Sequence, residues 1–140
     1  MAGVYVHIPF CHSKCAYCDF YSIAGARQVD AFVEALGREW KARRMELGSD
    51  SIRTIYFGGG TPSILSTDIF ARIASLFPLD DVEEFTIEVN PEDVNEAAVA
   101  AWRAAGVNRV SIGVQSLADS ELEAVGRRHT AAEALAAIAC

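Results

Sequence analysis

The chain has 140 residues, of which 51% are hydrophobic, so it is long enough to bury one core. Its formal net charge of −7 argues against a nucleic-acid-binding surface. No apolar run has the length of a membrane-spanning helix, and no secretory signal peptide opens the sequence. We therefore expect a cytoplasmic globular domain with no transmembrane segment and no nucleic-acid partner.

Short runs typical of β-strands alternate with stretches in which apolar residues recur at helical spacing. The predicted strands are residues 4–8, 54–57, 85–89 and 109–114. A first helix is predicted after strand one and a second after strand two, a third over residues 95–105 with Gly106 as its stop signal, and a fourth over 131–139. Four β-α units in succession predict a parallel sheet with right-handed crossovers.

The two faces of the predicted strands differ in polarity. Alternate side chains point to opposite faces of a sheet, and one face is apolar in all four strands. The other face carries Tyr5, His7, Tyr56, Glu88 and Ser111, among others. A doubly wound sheet has helices on both faces, whereas a barrel can keep polar groups in its interior. The pattern favours an α/β fold of the partial, TIM-like (β/α) barrel type, with about four β-α units present.

Three cysteines fall within eight residues, at Cys11, Cys15 and Cys18. Three thiolates are one ligand too few for a closed metal site or a fully ligated cluster. The open coordination position can then bind another molecule. A zinc site completed by His7 or His12 ranks second, and three buried core cysteines rank third, because Pro9 disfavours a helix here. A disulfide is disfavoured because three clustered thiols cannot pair evenly. The remote Cys140 is interpreted as an ordinary helix residue.

Unusual residues also follow the other predicted strands. Strand two ends in a run of three glycines, Glu88 and Asn90 close strand three, and Gln115 closes strand four. In barrels of this type, function lies at the carboxyl ends of the strands. Each residue also has a structural interpretation: a tight turn for the glycines, a solvated carboxylate for Glu88 and a loop-capping amide for Gln115. Their coincidence with the cysteines favours a shared site.

The pattern C-x3-C-x2-C, with Tyr17 before its last cysteine, resembles the signature of the radical S-adenosylmethionine (SAM) enzymes. This resemblance implies that Cys11, Cys15 and Cys18 hold a [4Fe-4S] cluster. In that family the amino and carboxylate groups of SAM chelate the fourth iron, and an electron from the cluster releases a deoxyadenosyl radical. The cofactors carry that chemistry, while the protein supplies ligands and orientation.

Four further segments resemble one branch of this superfamily. They are YVHIPFC at 5–11, GGGTPS at 58–63, IEVNP at 87–91 and SIGVQS at 111–116. That branch contains the oxygen-independent coproporphyrinogen III oxidases and the HemW-type haem chaperones. By this resemblance, the SAM-contacting positions are Tyr5, Tyr17, Gly59, Gly60, Thr61, Glu88, Gln115 and Arg127.

One departure separates the two members of that branch. The oxidases carry another cysteine two places after the third, whereas this chain has Asp19 and Phe20 after Cys18. The form found here resembles the HemW-type chaperones, which implies haem or a porphyrin as cargo, haem-acceptor proteins as partners and a flavodoxin- or ferredoxin-like electron donor. Coproporphyrinogen oxidation and a structural zinc domain remain the alternatives, and whether SAM is cleaved stays open. His7, His12 and His129 are candidate haem ligands that we interpret as structural.

Members of this branch have a six-stranded partial barrel followed by a C-terminal domain. Four strands cannot close a barrel, and no stop signal ends the last predicted helix. We therefore expect residues 1–140 to be the N-terminal part of a radical SAM core domain. The remaining strands and the domain that shapes the haem or porphyrin site are then expected outside this sequence.

Overall fold

The fold is a parallel β-sheet with helices between its strands, as seen in a computed structural model that describes residues 1–15, 17–25 and 27–140. The strands are β1 (Ala2–Ile8), β2 (Phe10–Cys11), β3 (Ile23–Ala24), β4 (Ile52–Gly59), β5 (Glu84–Val89) and β6 (Arg109–Ile112). The helices are α1 (Val29–Arg43), α2 (Thr67–Ala74), α3 (Glu96–Ala104), α4 (Asp119–Ala124) and α5 (Ala131–Ala139). Single turns of 3-10 helix lie at Arg44–Leu47, Pro62–Ile64 and Pro91–Asp93.

The main sheet has the order β1-β4-β5-β6, and all three of its strand pairs are parallel. The four strands predicted from the sequence are therefore confirmed. Because the strands run in the same direction, their carboxyl ends meet at one edge of the sheet. Strands β2 and β3 form a separate two-stranded ladder, which holds the segment after β1 against the chain at residue 23.

The apolar face of the sheet forms the core. Phe57 of β4 lies at its centre, with ring centroids 5.5 Å from Phe70 of α2, 6.1 Å from Phe77 and 4.8 Å from Phe85 of β5. Phe57 and Phe85 are fully buried. Burial of these rings, together with the aliphatic side chains of the same face, stabilises the fold.

The opposite face is polar, as its sequence predicted. Tyr5 is more than half exposed, and His7, Tyr56 and Glu88 are half-buried. Thr86 is an exception because it is completely buried, with its hydroxyl bonded to Arg109 and Glu84. A sheet with one helix-covered face and one polar face matches the half-barrel arrangement expected from the sequence.

Side-chain caps explain where three helices begin. Ser66 accepts a hydrogen bond from the Ile69 amide at the start of α2, and Asn95 accepts one from Ala98 at the start of α3. Thr130 opens α5 with a capping box. After α3, Gly106 has φ +99°, a conformation that favours glycine, so the predicted stop signal is confirmed.

The structure differs from the sequence-based expectation at three places. β6 ends at Ile112 and not at residue 114, because Val114 bonds back to Ile112 and Gln115 turns the chain with φ +66°. Val110, expected on the apolar face, is 42% exposed. Helix α4 and the β2-β3 ladder were not predicted, since elements of six and two residues are too short to show a periodic pattern.

None of the helices in the described part of the chain combines the length and the apolar character needed to cross a membrane.

Candidate cluster and cofactor site

One cavity of about 380 Å³ opens at the carboxyl ends of the main sheet. It is lined by ten of the eleven residues that the sequence nominated for the cluster and for SAM: Cys11, Cys15, Tyr17, Cys18, Gly59, Gly60, Thr61, Glu88, Gln115 and Arg127. These residues come from the carboxyl ends of the strands of the main sheet and from the segments that follow them. The structure thus brings together side chains that are up to 116 positions apart, the separation of Cys11 and Arg127.

The three cysteines of the motif reach the cavity from different backbone settings. Cys11 is buried and belongs to β2, so its position is set by the β2-β3 ladder. Cys15 and Cys18 are half-buried in the following loop, where the Cys18 amide donates to the Cys15 carbonyl over 3.1 Å. All three are free thiols, and the described residues of this loop contain no helix. The arrangement does not match three cysteines packed in a core.

The donor set around the sulfur atoms suits an anionic sulfur-ligated centre. The hydroxyl of Thr61 lies 3.6 Å from Cys11 Sγ, and Arg127 Nη1 lies 3.9 Å from Cys15 Sγ. Hydrogen bonds and a cation near thiolates are typical of iron–sulfur sites. No three His, Cys, Asp or Glu side chains in the described ranges gather around one point as a single metal ion requires.

The glycine run lets β4 approach the cysteine strand closely. A Cβ atom at Gly60 would lie 2.6 Å from the Phe10 carbonyl oxygen and 3.0 Å from Cys11 Sγ. Gly59 has φ +111°, and a Cβ there would lie 2.6 Å from the His7 ring. The Thr61 amide then donates to the Phe10 carbonyl over 2.7 Å. A side chain at Gly60 would therefore push the turn and the cysteine strand apart, and one at Gly59 would clash with β1.

Glu88 is held by two donors from β4. The Tyr56 hydroxyl donates to Oε1 over 2.7 Å, and the Gly59 amide donates to Oε2 over 3.1 Å. Burial, followed by the hydrogen bond and charge of Glu88, raises the pKa of Tyr56, so the phenol remains a donor at neutral pH. Sequence reasoning placed Tyr56 on the polar face but did not nominate it for the site.

Asp93 joins three of the loops that surround the cavity. Its carboxylate accepts the Ser63 hydroxyl at 2.6 Å and faces His12 Nε2 at 3.0 Å. The Ser63 hydroxyl oxygen in turn accepts the Asn90 amide at 3.2 Å. The cysteine loop is thereby tied to the turns after β4 and β5. Sequence reasoning did not nominate Asp93 or Ser63, although Ser63 is the last residue of the GGGTPS segment and Asp93 lies two residues after IEVNP.

Arg127 enters the cavity from the segment between α4 and α5. Its Nη2 donates to Asn90 Oδ1 at 2.9 Å and to the Gly113 carbonyl at 2.7 Å. Its Nε is buried, and no hydrogen-bond partner for it occurs among the described residues. Gln115 lines the same cavity from the turn after β6. The guanidinium therefore brings positive charge to the cavity, which suits an anionic group.

Tyr5 is the one nominated residue that the structure leaves outside this cavity. Its ring stacks on Tyr56 at 5.9 Å, and its hydroxyl lies 3.2 Å from His7 Nδ1. Tyr17 does line the cavity, and burial raises the pKa of its phenol. The contact of Tyr5 with SAM stays a prediction.

All three candidate haem-ligating histidines are engaged in contacts within the chain. His7 bonds through Nδ1 to Tyr5 and through Nε2 to the Tyr21 carbonyl at 2.8 Å. The side chain of His129 is fully buried, with Nε2 bonded to the Val114 carbonyl at 3.0 Å. His12 faces Asp93 through Nε2. These contacts agree with the structural interpretation of the histidines.

A comparison with known protein families shows which superfamily the chain belongs to. The sequence model described as the radical SAM superfamily matches residues 5–139, almost the whole chain. The chain belongs to the radical SAM superfamily. The cysteine loop of this radical SAM chain, its glycine run and Glu88 all lie inside the matched region.

Individual proteins within this superfamily are also similar to the chain. The haem chaperone HemW of Lactococcus lactis is 41% identical over 133 residues, which cover 91% of this chain and 34% of that protein. A mitochondrial radical S-adenosyl methionine domain-containing protein 1 of Bos taurus is 40% identical over 146 residues, covering 99% of this chain and 32% of the relative. The first of these relatives belongs to the HemW type that the motifs predicted.

A solved structure supports the same branch and the barrel type. The radical SAM enzyme coproporphyrinogen III oxidase HemN of Escherichia coli superposes with a TM-score of 0.86 at 30% identity, covering 98% of this chain and 33% of that one. The expected α/β fold of the radical SAM type is confirmed. The chain spans about a third of the length of these relatives.

Proposed function

We propose that Cys11, Cys15 and Cys18 bind a [4Fe-4S] cluster with one iron left open. The observation that carries this proposal is that all three thiols line one cavity together with the glycine run and Glu88. Three ligands leave one iron of the cluster free for another molecule. Residues 1–140 are then the N-terminal part of the core domain that holds this cluster.

The same cavity is proposed to bind SAM beside the cluster. Glu88, fixed by Tyr56 and Gly59, presents a carboxylate suited to the ammonium group of the methionyl moiety. Arg127 carries donors suited to an anionic group, and Gly59, Gly60, Thr61 and Gln115 supply polar backbone and side-chain atoms. Tyr17 provides an aromatic wall, and Tyr5 completes the predicted set from the neighbouring sheet face.

When bound, the cluster would supply the electron that breaks a carbon–sulfur bond of SAM. We propose that a flavodoxin- or ferredoxin-like protein delivers this electron to the cluster. The chain's own residues hold and orient the two cofactors. The tether from His12 to Asp93 and Ser63 fixes the cysteine loop over the cavity. A fixed loop holds Cys11, Cys15 and Cys18 on the same cavity as Glu88, where these residues would bind the cluster and SAM side by side.

For the whole protein, we propose a HemW-type haem chaperone that binds haem and passes it to acceptor proteins. The support is the similarity to proteins named haem chaperones, together with Asp19 and Phe20 in place of the oxidase-type cysteine segment. We place the protein in the cytoplasm, where cysteines stay reduced and available as cluster ligands.

A second candidate function is the oxidative decarboxylation of coproporphyrinogen. The observation that favours it is the TM-score of 0.86 to the coproporphyrinogen III oxidase HemN. The missing fourth cysteine of the motif argues against it. Both functions use the same cluster and SAM site, so they differ only in the tetrapyrrole chemistry that follows.

The cluster site is tested by anaerobic reconstitution with iron and sulfide, followed by electron paramagnetic resonance of the reduced protein with and without SAM. We expect a cluster signal that changes when SAM is added. Cys15→Ala should lose the cluster, whereas the matched variant Cys140→Ala, which changes the exposed terminal thiol, should retain it. Zinc without iron or sulfide, or an unchanged signal with SAM, would contradict the proposal.

The two whole-protein functions are separated by assays on the same reconstituted protein. A chaperone should bind haem, seen as a shift of the Soret absorption band, and transfer it to an apo haem protein. It should leave coproporphyrinogen III unconverted in the presence of SAM and reductant. Formation of protoporphyrinogen with matching deoxyadenosine release would establish the oxidase function instead.

A further inference from the structure

Four polar residues form a continuous line from the cavity's guanidinium to a cysteine sulfur. Arg127 Nη2 lies 2.9 Å from Asn90 Oδ1, Asn90 Nδ2 lies 3.4 Å from Thr61 Oγ1, and Thr61 Oγ1 lies 3.6 Å from Cys11 Sγ. These residues come from the α4-α5 segment, the end of β5 and the turn after β4. Tertiary packing alone brings them into one line.

The chemistry of the groups assigns a single direction to the hydrogen bonds in this line. A guanidinium can only donate, so the amide oxygen of Asn90 faces Arg127 and its NH₂ group faces Thr61. The Thr61 oxygen accepts that hydrogen bond, which leaves its own hydrogen directed at Cys11 Sγ. Each donor polarises the next, and the positive charge of Arg127 reinforces the final bond to sulfur.

The last link of the line is fixed by backbone structure. Cys11 is buried in β2, and the Thr61 amide donates to the carbonyl of Phe10 over 2.7 Å. Thr61 is itself 7% exposed. The absence of a side chain at Gly60 allows this close approach of the turn to the sulfur. The hydroxyl-to-sulfur contact is therefore built into the fold.

We propose that Thr61, oriented by Asn90 and Arg127, raises the reduction potential of the cluster by donating a hydrogen bond to Cys11 Sγ. Reduction adds an electron to the cluster and increases the negative charge on its sulfur ligands. A donor at sulfur therefore stabilises the reduced state more than the oxidised state. The inference rests on the proposed cluster, and it makes Thr61 and Asn90 residues that tune and position it, beyond any contact with SAM.

The test is a redox titration of the reconstituted cluster, without SAM, followed by electron paramagnetic resonance. Thr61→Val removes the hydroxyl while retaining the branched shape, and it should shift the midpoint potential to a more negative value. Asn90→Ala should shift it in the same direction, because Thr61 loses the donor that orients it. Thr61→Ser keeps a hydroxyl and should restore the wild-type potential.

Ser75→Ala is the control, because it deletes an exposed hydroxyl that donates to the Arg72 carbonyl at the end of α2, outside the cavity and the hydrogen-bond line. Its potential should equal that of the wild type. Wild-type potentials in both Thr61→Val and Asn90→Ala would overturn the inference while leaving the proposed cluster intact. Failure of the wild-type protein to assemble a cluster would overturn the proposed function, and this inference with it.

Discussion

At the residue scale, the candidate site depends on hydrogen bonds that orient its principal groups. Glu88 has both oxygens engaged by β4, and Asp93 bonds to the cysteine loop and to the turn after β4. Removing one partner of such a charged group leaves it unsatisfied or mobile, which costs about 1.5 to 3 kcal/mol. The residues that provide these bonds are thus as important for the site as those that line it.

Tyr56→Phe should weaken SAM binding to the cluster-loaded protein while leaving the cluster signal unchanged. Loss of the 2.7 Å bond frees Glu88 to rotate, and a loss of about 1.4 kcal/mol corresponds to about tenfold in affinity. Isothermal titration calorimetry measures the change. Tyr21→Phe is the control, since Tyr21 is 73% exposed and no partner for its hydroxyl occurs among the described residues. Equal affinities in wild type and Tyr56→Phe would contradict the role of Tyr56.

At the element scale, the start of α5 is stabilised by a capping box. The Thr130 hydroxyl accepts the Glu133 amide at 3.2 Å, and Glu133 accepts the Thr130 amide at 2.7 Å. The hydrogen bond from the Thr130 backbone, followed by that from its hydroxyl, lowers the pKa of Glu133 from its ordinary 4.5. Helix α5 packs against the 3-10 turn after β5, so its first turn helps to place the neighbouring Arg127 segment.

The capping box predicts a pH-dependent contribution to stability. Because the folded pKa of Glu133 lies below its unfolded value, its contribution is fully present above pH 4.5 and is lost as the pH falls through the folded pKa. Glu133→Ala should therefore destabilise the protein near pH 7, with the difference from wild type shrinking on acidification. Urea unfolding at several pH values measures it. Glu123→Ala on α4 is the control, and a pH-independent difference for Glu133→Ala would contradict the assignment.

At the scale of the whole molecule, one face of the sheet forms the core and the other face contributes to the candidate site. The apolar face buries aromatic rings under the helices, while the polar face and the strand ends carry the cavity. This division allows the site to contain glycines, a carboxylate and free thiols without weakening the core. Stability and cofactor binding are therefore expected to respond to different substitutions.

Phe57→Ala should reduce the free energy of unfolding by about 3 to 5 kcal/mol, because the ring is fully buried and contacts three other phenylalanines. Denaturant unfolding of the apo protein measures this loss. Met45→Ala, at a side chain that is 78% exposed, should change stability by less than about 0.5 kcal/mol. A comparable loss in both variants would show that the proposed core does not dominate stability.

Much of the fold could be predicted because its signals are local. Strand alternation, helical spacing and caps depend on neighbours within a few residues, and they located the four strands and most helices. The end of β6 could not be predicted, because the carbonyls of Gly113 and Val114 bond to Arg127 and His129, which lie more than ten residues further along the chain. The nominated cavity residues were found from motifs, whereas Asp93 lies outside the motifs and its bond to Ser63 has no local signal in the sequence.

The sequence by itself determined the parallel α/β arrangement, the cysteine motif and the superfamily, because these depend on residue type and spacing along the chain. Tertiary structure alone decided which groups orient one another. The pairing of Tyr56 with Thr86 brings the phenol to Glu88, 32 positions away, and the packing of the α4-α5 segment brings Arg127 to Asn90, 37 positions away. Such contacts depend on strand register and loop packing, which have no local signature in the chain.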